Sequence, residues 1–304
     1  MDKKIAFLFL ILDNPNFPKI WDSYFRGHKE QYRLYIHPKY PGVFRKLPQP
    51  SVSPAAPHLK QALLGAAEQL TWKRKNMIKN IKETAWGFIV EAYIELLKEA
   101  YKNPQNYKFV TISESCIPIK TFDTFYKDCI EDPRSWIKSM KMGRYDYEGR
   151  INLQKTLPRP QHFIKNYARF CLNREHVRLL LSKEKELKFF YKMQVGDEFF
   201  LSVLYPLKNY RDFAVVYDDW DYTNMQEIII KNKIKLLWKE EKKTGKDKSA
   251  ERKILQSQFN IVTRSPKTIV NVEEDFEKIK ACKSYFYRKF AKNSNIEKYW
   301  KKLN

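Results

Sequence analysis

The chain has 304 residues, of which 43% are hydrophobic and 15% aromatic, so it can bury a sizeable core and is not an intrinsically disordered protein. The 58 Lys and Arg residues against 35 Asp and Glu give a formal charge of +23, which attracts nucleic acid, an anionic membrane face or nucleotide phosphates without choosing among them. Only 8 glycines are present, which excludes a collagen-like or flexible-linker composition.

The apolar run Ile5–Leu12 near the N-terminus is predicted to be a buried first strand. It follows two lysines but lacks a small-residue cleavage site, and Asp13-Asn14-Pro15 ends it. It is far shorter than the roughly 20 residues of a transmembrane helix, and no other segment is long and apolar enough. We therefore expect a soluble protein without a signal peptide.

The segments alternate between strand-like and helix-like patterns, which predicts an α/β layered fold. In chain order we expect strand Ile5–Leu12, helix Lys19–Gly27, strand Tyr32–His37, loop Pro38–Pro57, helices Thr71–Lys82 and Ala85–Tyr101, strand Asn106–Ile112, helix Phe122–Ile130, strand Trp136–Met142, loop Gly143–Pro160, strand Tyr167–Leu172 and a helix from Arg174 capped by Asn173. There follow an apolar helix opened by Gly196-Asp197-Glu198, strand Asp212–Tyr217, a charged segment, strand Asn260–Thr263, helix Glu273–Cys282 and a basic tail.

No linker-like break separates two self-sufficient halves, so we expect one domain over residues 1–304. The segment at about 230–253 is dense in Lys and Glu and is predicted to be a solvated helix or a disordered insertion. Four cysteines and five histidines are scattered without metal-ligand spacing, so we expect buried unpaired thiols and no structural zinc site.

A series of short segments carries a family resemblance because they occur together and in order. They are KIAFLFLILDN, YRLYIHPKY, Trp86-Gly87, FVTISESCIPIKTF, YARFCLNREHV, GDEFFLSVL, YDDWDYTN, TRSPKT and FYRKFAKNS. Together they resemble the core-2/I-branching N-acetylglucosaminyltransferase family in its plant and viral form. The resemblance implies a glycosyltransferase-A fold, an α/β sandwich with its nucleotide-sugar site at the carboxyl ends of the strands. It also implies inverting transfer from a UDP-sugar without a divalent metal.

Glu198 is the candidate general base. In the resemblance, Asp197-Glu198 stands at the family's Pro/Ser-Asp-Glu motif, and Gly196 replaces the Pro or Ser. The resemblance implies that Glu198 removes the acceptor hydroxyl proton while the acceptor oxygen attacks the anomeric carbon. On the residues alone, two acids before an apolar helix are equally a helix N-cap with a negative first turn.

Arg264 and Lys289 are the candidates for binding the diphosphate of UDP. The resemblance implies that these two cations replace the metal, with Lys267 and Arg288 as neighbours that could substitute. On the residues alone, any one of the 58 basic residues is a solvated surface charge.

One segment fits a metal-binding alternative. Asp219-Trp220-Asp221 satisfies the Asp-x-Asp pattern, but it follows the late strand. The metal-binding motif normally comes earlier, where this chain has Ser113-Glu114. We therefore expect no metal and no cofactor.

Two aromatic residues are similar to the family's acceptor-binding pair. Trp220 and Tyr222 form a Trp-x-Tyr pattern whose rings suit the C–H face of a sugar, and the Tyr hydroxyl can form a hydrogen bond. Core packing after the late strand is the alternative.

The resemblance assigns a further set of residues to the donor nucleotide: His37, Trp86, Gly87, Ser113 and Glu114. His37 stands where plant-type members have a His beside the uridine, and a strand-end His without a ligand role is the alternative. Ser113 and Glu114 end a buried strand at the expected mouth of the site, facing donor or acceptor.

The sequence thus predicts a glycosyltransferase that moves N-acetylglucosamine from a UDP-sugar to a glycan or glycoprotein acceptor. The alternatives are xylosyl transfer, a catalytically dead lectin-like relative, and a nucleic-acid-binding protein suggested by the net charge. No helix-turn-helix, zinc-finger or RNA-binding signature is present, so we expect no specific nucleic acid partner. Animal members carry a signal anchor and several disulfides, whereas this sequence shows neither an anchor-like pattern nor that density of cysteines. We therefore expect a cytoplasmic enzyme of viral type, with peripheral attraction to anionic membranes.

Overall fold

The central strand of the protein is apolar throughout because it is buried on both faces. In this computed structural model, which describes residues 2–39, 76–140, 165–220, 225–262 and 266–303, the strand Lys4–Ile11 alternates its side chains between two core clusters. Ala6 and Leu8 lie in one cluster, and Phe7 and Phe9 lie in the other. This period of two is the geometry of a strand, and apolar residues on both faces are typical of a parallel sheet covered by helices.

The strands and helices follow the chain order below. The strands are β1 Lys4–Ile11, β2 Tyr32–Pro38, β3 Asn106–Ser113, β4 Ile117–Pro118, β5 Ser135–Trp136, β6 Ser139–Met140, β7 Lys165–Asn166, β8 Cys171–Asn173, β9 Tyr210–Arg211, β10 Val216–Asp218 and β11 Phe286–Arg288. The α-helices are α1 Pro18–Phe25, α2 Val90–Tyr101, α3 Phe122–Glu131, α4 Arg174–Ser182, α5 Glu184–Tyr191, α6 Met225–Thr244, α7 Ser249–Val262 and α8 Phe276–Ala281. Single 3₁₀ turns are Gly196–Glu198, Phe200–Leu204, Glu273–Asp275, Asn295–Lys298 and Trp300–Lys302.

Two larger sheets organise most of these elements, and β6 and β7 form a separate antiparallel pair. The larger has the strand order β2-β1-β3-β8-β5-β9, in which β1, β2 and β3 are parallel and β8 is antiparallel to β3. The smaller has the order β10-β11-β4, with β10 and β11 parallel. Helices α2, α4 and α5 cover one face of the larger sheet, and α1 and α3 cover the other. The predicted α/β sandwich is therefore confirmed.

Several local predictions are also confirmed. The first three strands, α1 and α3 lie within one or two residues of their expected positions. Asn173 caps α4, because its Oδ1 accepts a hydrogen bond from the His176 backbone amide at 2.8 Å. All four cysteines are free thiols, and three of them are buried. No helix within the described ranges combines the length and apolarity needed to cross a bilayer.

Two helix predictions upstream of β3 are wrong. The expected helix Thr71–Lys82 does not extend over the described residues 78–82, because the backbone there pairs with β2: the Ile78 amide donates to the Ile36 carbonyl at 3.0 Å. The helix expected from Ala85 begins instead at Val90. Gly87 has a φ of +79°, which a helix excludes, and residues 85–88 form a tight turn. Residues 71–75 and the predicted loops around 40–57 and 143–160 lie outside the described residues.

Later strand and helix boundaries also differ from the predictions. The prediction of a strand at Asn260–Thr263 is wrong up to Val262, because α7 continues through that residue. A strand needs a neighbouring strand for its hydrogen bonds, whereas a helix that has started can add further residues by itself. The expected apolar α-helix from Gly196 is a pair of 3₁₀ turns that follow Val195, whose φ is +51°. The expected strands Trp136–Met142, Tyr167–Leu172 and Asp212–Tyr217 are each shorter or interrupted. The charged segment is a helical hairpin, α6 and α7, that is longer than the predicted 230–253.

Candidate functional site

The carboxyl ends of strands from both sheets meet at one place. The loop after β1 joins them, because the Asn16 amide donates to the Glu114 carbonyl at 2.8 Å and the Asn16 side chain donates to the Phe290 carbonyl at 2.9 Å. The Phe290 amide in turn donates to the Ser115 carbonyl at 3.1 Å. The segment after β3 and the segment after β11 are thus neighbours. This is where an open α/β sheet places its ligand site.

Lys289 lies directly after β11 at this junction. It is half-buried, and burial together with the neighbouring Arg288 lowers the pKa of its ammonium, while the carboxylates of Glu114 and Asp218 oppose this shift. Arg288 is engaged elsewhere, since its Nη1 lies 2.9 Å from Asp218 Oδ1. Within the part of the chain that the structure describes, Lys289 forms no ion pair. Its ammonium is therefore available to an anion that enters the junction.

The other predicted phosphate-binding residues are less available or not described. Lys267 Nζ donates to Asp275 Oδ1 at 2.7 Å, a half-buried pair that links the start of the C-terminal segment to its 3₁₀ turn. Lys267 is therefore a poor substitute for a phosphate ligand. Arg264 lies outside the described residues, and its role stays a prediction.

Ser113 and Glu114 end β3 beside Lys289 but differ in exposure. Ser113 is buried, and its hydroxyl lies 3.2 Å from the Cys116 thiol. Glu114 is half-exposed and close enough to Lys289 to act on its pKa. Of the two, only Glu114 presents its side chain to a ligand.

A buried arginine that the sequence analysis did not identify lies behind this junction. Arg169 immediately precedes Phe170 and β8, and its Nη1 donates to the Tyr93 hydroxyl at 2.7 Å. Burial lowers the pKa of Arg169, but Tyr93, Cys116 and the carboxylates of Asp218 and Asp197 together outweigh it and hold the pKa above its ordinary value. Arg169 therefore stays charged and links β10 electrostatically to the segment that carries Glu198. An Arg inside the apolar run YARFCL is the signal that could have found it.

Glu198 ends the 3₁₀ turn Gly196–Glu198 with its carboxylate accessible. Its side chain is 27% exposed, and its Oε2 lies 3.4 Å from the Nζ of Lys165, whose side chain is only 13% exposed. Lys165 belongs to β7, whose backbone pairs with β6. The ion pair places a positive charge beside the Glu198 carboxylate, and nothing in the sequence around Lys165 indicated this contact.

Trp86 and Gly87 form a turn that docks on the segment before Glu198. The Gly87 carbonyl accepts a hydrogen bond from the Val195 amide at 2.7 Å, and a Cβ on Gly87 would lie 3.0 Å from that amide nitrogen. Trp86, at the tip of the turn, is 59% exposed. The pair thus supports the base-carrying segment from a turn rather than from a helix start.

Gly196 explains how the chain departs from the family's Pro/Ser-Asp-Glu pattern. A Cβ at this position would lie 2.5 Å from the carbonyl oxygen of Phe190, at the end of α5. Real Cβ atoms do not approach a backbone oxygen so closely. The close passage of the two backbone segments therefore requires glycine here.

His37 is fully buried near the end of β2. Its Nε2 accepts a hydrogen bond from the Lys82 amide at 2.9 Å, so the proton of the neutral ring is on Nδ1. Burial lowers the pKa of His37, which keeps the ring neutral. Among the described residues, Nδ1 has no hydrogen-bond partner. This leaves a buried N–H donor near the carboxyl end of β2.

The segment after β10 places Trp220 at the surface and Asp219 in the interior. Trp220 is 43% exposed, while Asp219 is fully buried and accepts hydrogen bonds from Lys278 Nζ at 2.7 Å and the Tyr287 hydroxyl at 3.4 Å. Asp219 thus anchors the segment. Asp221 and Tyr222 lie outside the described residues. Over the described ranges no group of three or more His, Cys, Asp or Glu could hold a metal ion, and metal independence stays a prediction.

Comparison with known proteins identifies relatives of this chain. The family model described as Branch, Core-2/I-Branching enzyme, matches residues 5–215. Glycosyltransferase BC10 of Oryza sativa subsp. japonica is 26% identical over 195 residues, which cover 62% of this chain and 43% of the rice protein. The chain thus spans less than half the length of this relative. The matched range includes His37, Glu114 and Glu198 but ends before Trp220 and Lys289.

The first prediction concerns Gly196. Gly196→Ala should lower the free energy of unfolding by about 1–3 kcal/mol, since the added methyl group meets the Phe190 backbone in a close-packed site. The control is Gly27→Ala, where φ is +85° but nothing lies within 4 Å of the new Cβ, so only about 1 kcal/mol of backbone strain is expected. Urea denaturation measures both. Equal stability of the two variants would show that the passage past Phe190 is not tight.

Proposed function

Because the chain belongs to the Core-2/I-Branching enzyme family, we propose that it transfers a sugar from a UDP-sugar to a glycan hydroxyl, with inversion and without a divalent metal. N-acetylglucosamine is the proposed sugar. The match confirms the predicted enzyme class, a glycosyltransferase, at the level of the family. One observation carries the proposal beyond the family: a half-buried cation, Lys289, and an accessible carboxylate, Glu198, flank the buried Arg169 network at the carboxyl ends of the strands.

In the proposed reaction Glu198 is the base. The acceptor oxygen attacks the anomeric carbon from the face opposite UDP, and the bond between that carbon and the β-phosphate oxygen breaks. The acceptor proton passes to the Glu198 carboxylate, and the electron pair leaves with UDP. Lys165, 3.4 Å away, orients the carboxylate toward the acceptor and loses its ion-pair partner when Glu198 becomes neutral.

The leaving diphosphate needs positive charge that is already in place. Lys289 supplies it in this proposal, with Arg264 as a second cation. Arg288 cannot readily do so, since it pairs with Asp218. Trp220 and Tyr222 are proposed to hold the acceptor. His37 is fully buried, so it is proposed to support the backbone beside the uridine rather than to contact it.

Two alternative functions, xylose transfer and nucleic-acid binding, are supported to different degrees by these observations. Xylose is the second candidate donor sugar, because the resemblance covers both kinds of transferase. The family match favours an enzyme over the nucleic-acid-binding protein suggested by the net charge.

The first prediction from this proposal is a donor specificity that does not require metal. Incubation with a panel of UDP-sugars, with and without EDTA, should give UDP release from one donor at the same rate in both conditions. UDP-N-acetylglucosamine is the expected donor, and UDP-xylose the alternative. Release that vanished with EDTA and returned with Mn²⁺ would contradict metal independence and point to Asp219 and Asp221 as ligands.

The second prediction concerns Glu198. Glu198→Gln keeps the size of the side chain but cannot accept a proton, so transfer should fall by about 10²-fold or more while UDP-sugar affinity changes little. Transfer rate, donor affinity and melting temperature are measured together. Glu114→Gln is the matched control at the other accessible carboxylate. If Glu114→Gln abolished transfer and Glu198→Gln did not, the base would be Glu114.

The third prediction concerns Lys289. Lys289→Ala should weaken UDP binding by about tenfold or more, since a charged hydrogen bond to phosphate is worth roughly 1.5–3 kcal/mol. Arg264→Ala should do the same, and Lys292→Ala, at an exposed lysine nearby in sequence, should not. Calorimetry with UDP measures the affinities.

The lowered pKa of Lys289 adds a pH dependence to that third prediction. Because the pKa of Lys289 is lowered, the ammonium loses its proton at a lower pH than an ordinary lysine does, and UDP affinity should fall with it on the alkaline side. Lys289→Arg, which stays charged, should remove this alkaline loss. Unchanged affinity in Lys289→Ala at neutral pH would show that another cation binds the diphosphate.

A further inference from the structure

The hairpin α6–α7 has an apolar face that no part of the described chain covers. The two helices pack along each other, and residues 225–262 lie between the acceptor aromatics and Arg264 in the sequence. Exposed aliphatic side chains remain on one side: Ile229 is 47% exposed, Leu236 63% and Ile254 61%. Leu236 and Ile254 line a shallow groove of about 450 Å³ between the helices, together with Leu237 and Leu255.

Lysines surround this apolar face. Residues 229, 233, 236 and 243 recur at the spacing that puts them on one side of a helix, so Lys233 and Lys243 flank Ile229 and Leu236, and Lys239 lies at the edge. All three lysines are exposed. Over the hairpin, ten Lys and Arg stand against five Asp and Glu, a net charge of +5.

The acidic residues near the face are partly compensated. Glu240 and Glu251 both lie close to Lys248 Nζ, at 3.7 and 2.9 Å, so one ammonium faces two carboxylates. The ten basic residues of the hairpin outnumber its five acidic ones, so an approaching surface still meets a net positive charge.

We propose that the α6–α7 hairpin docks the enzyme on an anionic lipid surface. A bilayer with anionic headgroups offers both things that the face needs, negative charge for the lysines and hydrocarbon for the aliphatic side chains. A nucleic acid or an anionic polysaccharide offers the charge, but no apolar depth for Leu236 and Ile254. The proposal does not depend on the reaction proposed above.

The test is co-sedimentation of the full chain with phosphatidylcholine vesicles, with and without about one third phosphatidylserine. Wild type should bind only the anionic vesicles. Each basic residue near an anionic surface contributes roughly fivefold to partitioning. The triple variant Lys233→Glu, Lys239→Glu, Lys243→Glu should therefore lose at least about 100-fold. Leu236→Ser combined with Ile254→Ser should also weaken binding, by about tenfold or more, because it removes the apolar contact.

The matched control places the same charge change elsewhere. Lys292→Glu, Lys298→Glu and Lys301→Glu are exposed positions near the C-terminus and should keep most of the binding. Equal loss in this control would overturn the proposal, since the net charge of the chain would then explain the binding. Melting curves and UDP affinity of every variant show that fold and donor site are intact.

Two further outcomes would also overturn the proposal. The first is binding to heparin or DNA, insensitive to Leu236→Ser and Ile254→Ser, with no binding to vesicles. The second is a dimer in light scattering that the two Ser substitutions dissociate, which would show that the face is covered by a second copy of the chain.

Discussion

A single buried cation organises the site. Arg169 is buried, and a buried charge is tolerated only when groups that stabilise it are close. The Tyr93 hydroxyl of α2 accepts a hydrogen bond from it, and the carboxylates of Asp197, in the segment that carries Glu198, and Asp218, at the end of β10, act on it electrostatically. The position of the candidate base and the position of the small sheet are therefore fixed by the same requirement.

The small sheet extends this charge pattern to the surface. Asp218 lies between Arg169 and Arg288, so the positive charge of Arg288 is used inside the protein and Lys289 is the next cation outward. Glu114 approaches the same ammonium from β3. Carboxylates and cations alternate from the interior to the mouth of the site, so no charge in the core is isolated. The outermost charge is positive, and it lies where a diphosphate would enter. In the proposed reaction, these side chains would supply the positive charge that a bound metal supplies in many enzymes of this fold.

The hairpin α6–α7 follows different rules from the rest of the chain. The sandwich buries most of its aromatic and aliphatic residues in its core clusters, whereas Leu236 and Ile254 are more than half exposed. Its net charge of +5 is only part of the +23 of the chain, so the basic character of the protein is not confined to the insertion. Exposing an apolar face of this kind to water costs free energy, and docking on an apolar surface would remove that cost.

The sequence by itself determined the elements whose signal is local. The unbroken apolar run of β1, the alternation of strands and helices, and the Asn173 cap all follow from hydrogen bonding and side-chain preferences within a few residues. Glu198, Glu114 and Lys289 were likewise predicted, although by resemblance rather than by pattern, and their catalytic and binding roles remain proposals. Of the segments predicted wrongly, residues 78–88 hydrogen-bond to distant parts of the chain, and the 3₁₀ turns at 196–204 follow Val195, whose amide bonds to the distant Gly87 carbonyl.

Only the tertiary structure decided what surrounds the site residues. Residues 78–82 resemble a helix, but their amides bond to Ile36 and His37, more than forty positions away in the chain. Lys165 meets Glu198, and Arg169 meets Asp197 and Asp218, across similar separations. From the sequence, Gly196 has no evident structural requirement. In the structure, a Cβ added there would lie 2.5 Å from the Phe190 carbonyl oxygen. A contact between residues far apart in sequence produces no local periodicity or spacing that could predict it. Such a contact depends on how the sheets bring strand ends together, and that packing is determined by the chain as a whole.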